Sequence, residues 1–230
     1  MQHYHTQDRL LVALDCIIFG FSEDCLHLLL IKRDFTPCKG EWSLMGGFLR
    51  KEESLDSGAA RILRDLTGLQ DVYLEQFSTF GEVNRDPVTR TVSVAYYALL
   101  NQAVANGKLL NRYSAHWVPL SRLPALIFDH RKMVDEALSQ LRYRATYEPV
   151  GFELLPPTFT LSQLKKLYEA IFDREIDAGN FRRRLKKMDF LEKLDKKDFS
   201  DSKRGAWYYR FHPERYAQAR KKGDSFLLKP

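Results

Sequence analysis

Four residues within Gly47–Leu69, GFLRKEESLDSGAARILRDLTGL, stand at a spacing that could organise chemistry: Gly47-x5-Glu53-x7-Arg61-x6-Gly68. The stretch reads as a loop feeding one helix, near Ser54 to Leu66, that stops on Gly68. Glu53 and Arg61 carry opposite charge and can pair across loop and helix, holding the loop without any ligand. Positions 62, 65 and 66 share one helix face, because they lie three and four residues apart. Three carboxylates there would form a platform for Mg²⁺, a hard cation that takes oxygen ligands. The face instead offers Ile62, Asp65 and Leu66, two hydrocarbon side chains and one short acid. A face with two hydrocarbon side chains is suited to packing rather than catalysis.

The spacing resembles a Nudix box, the loop-helix-loop with which Nudix enzymes hold Mg²⁺ against a diphosphate. The family pattern puts glutamate at positions 62, 65 and 66, so the resemblance keeps the scaffold and loses most of its metal chemistry. Hydrolysis of a diphosphate needs the divalent ion to offset developing charge and activate water. The expectation is therefore a degenerate domain with no catalytic residue, no metal and no cofactor. The alternative is a working hydrolase of the ADP-ribose pyrophosphatase kind.

The elements that would position the box are strands with two helices. Leu10 to Phe21 and Leu26 to Ile31 are apolar runs separated by turn chemistry at Gly20, Ser22, Glu23 and Asp24. Runs apolar on both faces suit strands buried in a covered sheet. Trp42 to Phe48 reads as a third strand, Val72 to Gly81 and Thr91 to Leu100 as two more, and His116 to Leu120 as a short last one. Ser121 to Leu126 is a loop or helical turn. Phe128 to Arg144 has helical periodicity, with Met133, Val134, Ala137 and Leu141 on one side. This order gives an α/β/α sandwich around a mixed sheet.

A composition shift at Tyr147 to Thr158, YEPVGFELLPPT, marks an inter-domain segment. The predicted domains are residues 1–148 and 149–230. In the second, Thr160 opens a helix with Gln163 three residues on, a capping box, and Leu161, Leu164, Leu167, Tyr168 and Ile171 form its apolar stripe. Asp177 can cap a second helix running to about Met188, with Phe181, Leu185 and Met188 inward. Phe190 to Leu194 and Ala206 to Phe211 read as strands around a polar hairpin, Lys196 to Gly205. Two helices and a basic hairpin match a winged helix-turn-helix.

Charge separates the two parts. Residues 151–230 hold 19 Lys+Arg and 12 Asp+Glu; the chain total of 36 and 30 leaves 17 and 18 for the rest. A basic domain behind a near-neutral one suggests an acidic partner, with nucleic acid foremost. On a helical wheel with Phe181 inward, Gly179, Arg183 and Lys186 fall opposite, flanked by Arg182 and Lys187. Arg and Lys suit guanine edges and phosphates, and Gly179 allows close backbone approach. Asn180, Lys203 and Arg204 add contacts from the helix start and the wing. The plain alternative is an exposed amphipathic helix with a solvated face.

No run of 18 apolar residues provides a membrane span. The start MQHYHTQDRL has no signal-peptide pattern. Cys16, Cys25 and Cys38 are odd in number and lack CxxC spacing, which suits thiols in a reducing cytoplasm.

The whole chain resembles the Nudix-related transcriptional regulators of the NrtR type. The similarity is carried by GEWSLMGGFL, NRDPVTRTVSVAYYALL, LPALIFDHRKMV, LLPPTFTLSQLKKLYEAIFD and NFRRRLKKMDFLEK. The resemblance implies a small effector in the Nudix domain, operator DNA on the winged helix, and a homodimer. It implies one of two effector groups, NAD-related molecules such as ADP-ribose or pentose sugars. The segments look most like the arabinose-responsive branch of Bacteroides-type bacteria, so a repressor of sugar-metabolism genes is expected. In Nudix folds the ligand lies over the sheet beside the box helix. That places Trp42 to stack on a sugar, Arg85 and Asp86 to bond hydroxyls, and Asp129 and His130 nearby. Trp42 can equally be a core aromatic, Asp129 a helix N-cap, and His130 a satisfied polar residue.

Overall fold

The computed structural model describes residues 6–70, 72–106, 115–200 and 203–221. Its chain divides into two compact units. The first comprises the chain up to Phe19, Leu28–Ala98 and Ala103–Ala137; the second comprises Gly20–His27, Leu99–Gln102 and the chain from Leu138.

The first unit is organised by a seven-stranded sheet. Its path runs β3 (Trp42–Ser43), β2 (Cys25–Lys32), β1 (Leu11–Ser22), β6 (Thr91–Asn101) and β5 (Glu75–Phe80), with β4 (Met45–Phe48) paired to β1 and β7 (His116–Pro119) paired to β2. Strand β1 is buried through its centre because Cys16, Ile17, Ile18 and Phe19 have no polar face to turn outward. The predicted single strand over Trp42 to Phe48 is two strands. It breaks at Leu44, whose amide leaves the sheet and donates to His130 Nδ1 at 3.2 Å. Strand β3 then pairs with β2, and β4 pairs antiparallel with β1.

Helix α1 (Leu55–Thr67) begins on Ser54, whose hydroxyl accepts the Ser57 amide, and ends on Gly68 at φ +79°. That left-handed stop costs glycine nothing. The helix lies against β1 at Gly58, where a Cβ would stand 2.7 Å from Leu14 Cδ1. A short α2 (Gln102–Asn106) follows β6, and α3 (His130–Tyr147) buries Met133, Val134, Ala137 and Leu141 as its periodicity requires. Two helices on a largely buried sheet make the expected α/β/α sandwich.

The second unit sets α4 (Leu161–Phe172) and α5 (Ala178–Leu185) against the three-stranded sheet β8–β10–β9, formed by Phe159–Thr160, Ala206–Phe211 and Leu191–Asp198. The Thr160–Gln163 capping box forms in both directions. Glu169 accepts the Ile176 amide at 2.8 Å and so holds the turn between the helices. Asp177 caps α5 through the Asn180 amide. The helix ends at Leu185 rather than Met188, so Met188 is only half-buried beside fully buried Phe181 and Leu185. Strand β9 runs on to Asp198, four residues past the predicted end, because its lysines pair in the ladder instead of looping out. Residues 201–202 of the hairpin lie outside the described residues. Helix α6 (Pro213–Lys221) closes the unit.

The proline-bearing segment before α4 is not a loose link. Phe152, Leu154 and Leu155 are buried, and the Phe152 ring stacks on Phe211 with centroids 4.1 Å apart. Composition marked the prolines; it gave no weight to the hydrophobic triplet between them.

Candidate effector cleft and nucleic-acid interface

The box loop is held by charge. Arg61 reaches Glu53 with two hydrogen bonds, Nε–Oε2 at 2.8 Å and Nη2–Oε1 at 2.5 Å, and also donates to the Phe48 carbonyl. The Arg50 amide donates to the same carboxylate at 2.7 Å. The Arg61 hydrogen bond, with help from the Arg50 amide, lowers the Glu53 pKa to about 2. Glu53 is thus spent on loop geometry. Ile62 is buried and its side chain fills the space over Gly47, where a Cβ would meet it at 3.2 Å. Leu66 turns toward a cleft. Asp65 is half exposed, 3.9 Å from Arg61 and 3.6 Å from Arg64. This donor set does not fit Mg²⁺, which needs converging oxygens. Among the described residues no group of three or more His, Cys, Asp or Glu could hold a metal.

The cleft lies over the sheet, bounded by the end of β2, by β3 and β4, by Leu66, by the β5–β6 loop and by the start of α3. It holds about 710 Å³ of non-protein space, a figure that includes its open, solvent-filled mouth. Its floor is a buried polar network. The Arg85 side chain, 3% exposed, forks onto Asp129 at 2.9 and 2.7 Å and lies 3.8 Å from Asp15. Ser93 donates to Asp15 at 2.5 Å. His130 Nδ1 accepts the Leu44 amide, which leaves the proton on Nε2, 3.7 Å from Asp15 Oδ1. Burial lowers the His130 pKa against the opposing pull of Asp15 and Asp129, so the ring is neutral near pH 7.

The structure therefore brings Arg85, Asp129 and His130 together, and Arg85, Asp86 and His130 line the cleft. Asp129 turns its carboxylate to Arg85. Asp86 shapes its own loop by accepting the Val88 amide at 2.9 Å. Trp42 does not line the cleft; Lys32 Nζ lies 4.0 Å over its ring and His116 meets it edge-on. Sequence reading passed over Asp15, a lone acid inside an apolar strand. A buried carboxylate needs a partner, which was the available signal.

In the second unit, α5 exposes Gly179, Asn180, Arg182 and Arg183 while Phe181 and Leu185 are buried, and Lys186 and Lys187 are exposed in the turn just past its end. The space over Gly179 is nearly open, with only Asp177 Oδ1 within reach of a Cβ. Arg183 donates to the Asn180 side chain. Lys203 and Arg204 are exposed in the β9–β10 turn. A groove beside α5 is lined by Arg182, Lys186, Lys193, Trp207 and Tyr209. Lys193 and Lys197 place their ammonium groups 3.9 and 4.6 Å over the Trp207 ring. Lys193 and Trp207 fell in predicted strands without a role assigned, and Lys197 was read as hairpin loop; the Trp207–Lys197 cross-strand pairing puts charge beside the helix.

Comparison with known proteins agrees with both units. The NUDIX domain family matches residues 9–137, and the NrtR DNA-binding winged helix domain matches residues 151–211. The chain is 33% identical over 210 residues to an ADPR responsive transcriptional repressor of Acinetobacter baylyi, covering 90% of this chain and 84% of that one. It is 31% identical over 128 residues to an ADP-ribose pyrophosphatase of Methanocaldococcus jannaschii, covering 54% and 71%. The Shewanella oneidensis NrtR solved with a 27mer DNA matches with TM-score 0.80 and 29% identity, over 90% of this chain and 95% of that one. The NUDIX domain of that protein solved with ADP ribose matches with TM-score 0.51 and 28% identity, over 61% and 97%. The chain belongs to the NUDIX family and, with its winged helix, to the NrtR-type transcriptional regulators.

Proposed function

We propose that this chain is a repressor that binds operator DNA through α5 and releases it when ADP-ribose occupies the cleft. The observation that carries the DNA half is α5, whose three arginines, Arg182, Arg183 and Arg184, are exposed over two buried core residues, with Lys186 and Lys187 exposed just past its end. Such a helix is shaped to enter a major groove. Arg182, Arg183, Lys186 and Lys187 with Asn180 and Gly179 supply the principal contacts, and Lys203 and Arg204 supply the wing's. The effector half draws on the relatives, whose names and ligands point to ADP-ribose. The arabinose expectation has no counterpart among them, and ADP-ribose takes its place.

In this reading Arg85, Asp129 and His130 shape the cleft floor, Asp86 orders its rim, and Trp42 lies outside the ligand's reach. Residues 1–148 sense and residues 149–230 read DNA, in a cytoplasmic homodimer whose recognition helices match half-sites about one helical turn apart. The effector acts by favouring a dimer geometry that no longer fits that spacing. The chain does not hydrolyse its effector, because Ile62 and Leu66 stand where Mg²⁺ would need oxygen. The test is anisotropy of a labelled upstream duplex titrated with protein, then with ADP-ribose or arabinose. Salt-sensitive, sequence-specific binding reversed by ADP-ribose is expected. Absence of specific binding overturns the reading, and Mg²⁺-dependent release of AMP favours a hydrolase instead.

A further inference from the structure

Three cationic side chains line the effector cleft: Lys32, Arg33 and Arg85. Arg85 is committed to Asp129 and Asp15. Lys32 sits over Trp42. Arg33 differs from both. Its guanidinium lies 3.7 Å over the Phe35 ring and 5.4 Å from the Phe128 ring. Its Nε is buried and meets no acceptor among the described residues. A buried donor without a partner is uncommon, and it points to an acceptor brought by a ligand.

The chemistry of such an acceptor is specific. The guanidinium is a planar fork matched to phosphate oxygens, and aromatic stacking fixes its plane. Phe35 is half exposed, so the stack stands at the mouth of the cleft rather than in the core. The opposing charge there is limited. Among the described residues lining the cleft, Asp86 is engaged by the Val88 amide and the Thr91 hydroxyl and Asp15 by Ser93 and Arg85, leaving exposed Asp34 as the remaining acid.

A diphosphate entering the cleft needs countercharge. The box helix supplies none through metal, since Ile62 packs on Gly47 and Leu66 presents hydrocarbon to the space. We propose that Arg33 is the phosphate anchor of this cleft and that a diphosphate-bearing ligand binds it without a divalent cation. The inference rests on the ADP-ribose reading and specifies how that ligand is held. Phe35 acts as a positioning residue that keeps the fork in plane.

The experiment is calorimetric titration of the full-length chain with ADP-ribose and with adenosine, in EDTA and in Mg²⁺. The wild type should bind ADP-ribose equally in both buffers and adenosine far more weakly. Arg33→Gln should lose about tenfold or more for ADP-ribose, with its thermal midpoint and its operator affinity unchanged. If Arg33→Gln misfolds, Arg33→Lys keeps the charge without the fork and should show the same loss in smaller measure. Binding only with Mg²⁺ overturns the metal-free claim, and undiminished ADP-ribose binding by folded Arg33→Gln overturns the anchor. Operator binding by a wild type that ignores ADP-ribose but responds to arabinose would remove the effector reading and this inference with it.

Discussion

The Asp15 carboxylate occupies the space that a Cβ on Gly46 would need. The two residues are register partners across the antiparallel β1–β4 pair, so the acid leans over a strand that has nothing to push it back. That is how a charged group sits inside the sheet and still reaches Ser93, Arg85 and His130.

Gly46→Ala should therefore force Asp15 out of its network. Overpacking of this kind costs about 1–3 kcal/mol, a fall of several degrees in the thermal midpoint of a chain this size. Thermal denaturation with and without ADP-ribose checks it, and both stability and binding should fall. An unchanged midpoint would mean that the strand pair yields easily.

Glu53 gives a prediction in acid. Its pKa falls from an ordinary 4.5 to about 2 on folding. A carboxylate held down in the folded state contributes stability above its unfolded pKa and loses it as pH drops toward the folded value. Wild-type stability should thus decline between about pH 4.5 and 2, and Glu53→Gln should flatten that part of the profile. Chemical denaturation across the window measures the difference.

His130 works in a higher window. Burial lowers its pKa below the ordinary 6.5. Below 6.5 the unfolded chain takes up a proton that the folded ring refuses, so stability falls as pH drops toward the folded value. His130→Asn retains an acceptor near the Leu44 amide and cannot be protonated. Its stability should vary less below pH 6.5 than the wild type's, and a parallel profile would show that His130 does not govern that range.

On α5 and at its C-terminal cap, Arg183→Ala and Lys186→Ala should weaken operator binding while leaving the fold intact. Removing a side chain that neutralises one phosphate lowers the log–log salt slope by about 0.9, whereas removing one that reads a base edge costs about 1–3 kcal/mol and relaxes sequence preference. Measuring affinity at several salt concentrations assigns each residue to one class. Phe181→Ala is the contrast, since its buried ring should cost about 3–5 kcal/mol of stability. Loss of binding from Phe181→Ala with an unshifted melt would contradict the core placement.

The sequence disclosed the elements whose signals are local. Thr160 with Gln163, Asp177 and Gly68 mark helix ends through short-range hydrogen bonds, and all three behave as their types require. The Glu53–Arg61 pair was legible for the same reason, eight residues apart across one loop. What escaped was non-local. The Leu44 amide meets His130, and Ser93 meets Asp15, across most of the domain. No window of sequence contains both partners. The extent of β9 escaped because its lysines carry the composition of a loop while pairing opposite Trp207 and Tyr209. Arg33 escaped because an arginine at the end of a strand looks like ordinary surface.

The ring of Phe152 lies flat against Phe211, and Tyr168 donates its hydroxyl to the Val150 carbonyl. Anyone trimming the protein to its DNA reader inherits a constraint from this. A fragment begun after the prolines, at Thr158, would keep every basic residue of the reading surface. It would also leave one side of the strand that carries Trp207 open to water. The usable fragment starts ahead of Val150, so part of what looks like tether is floor.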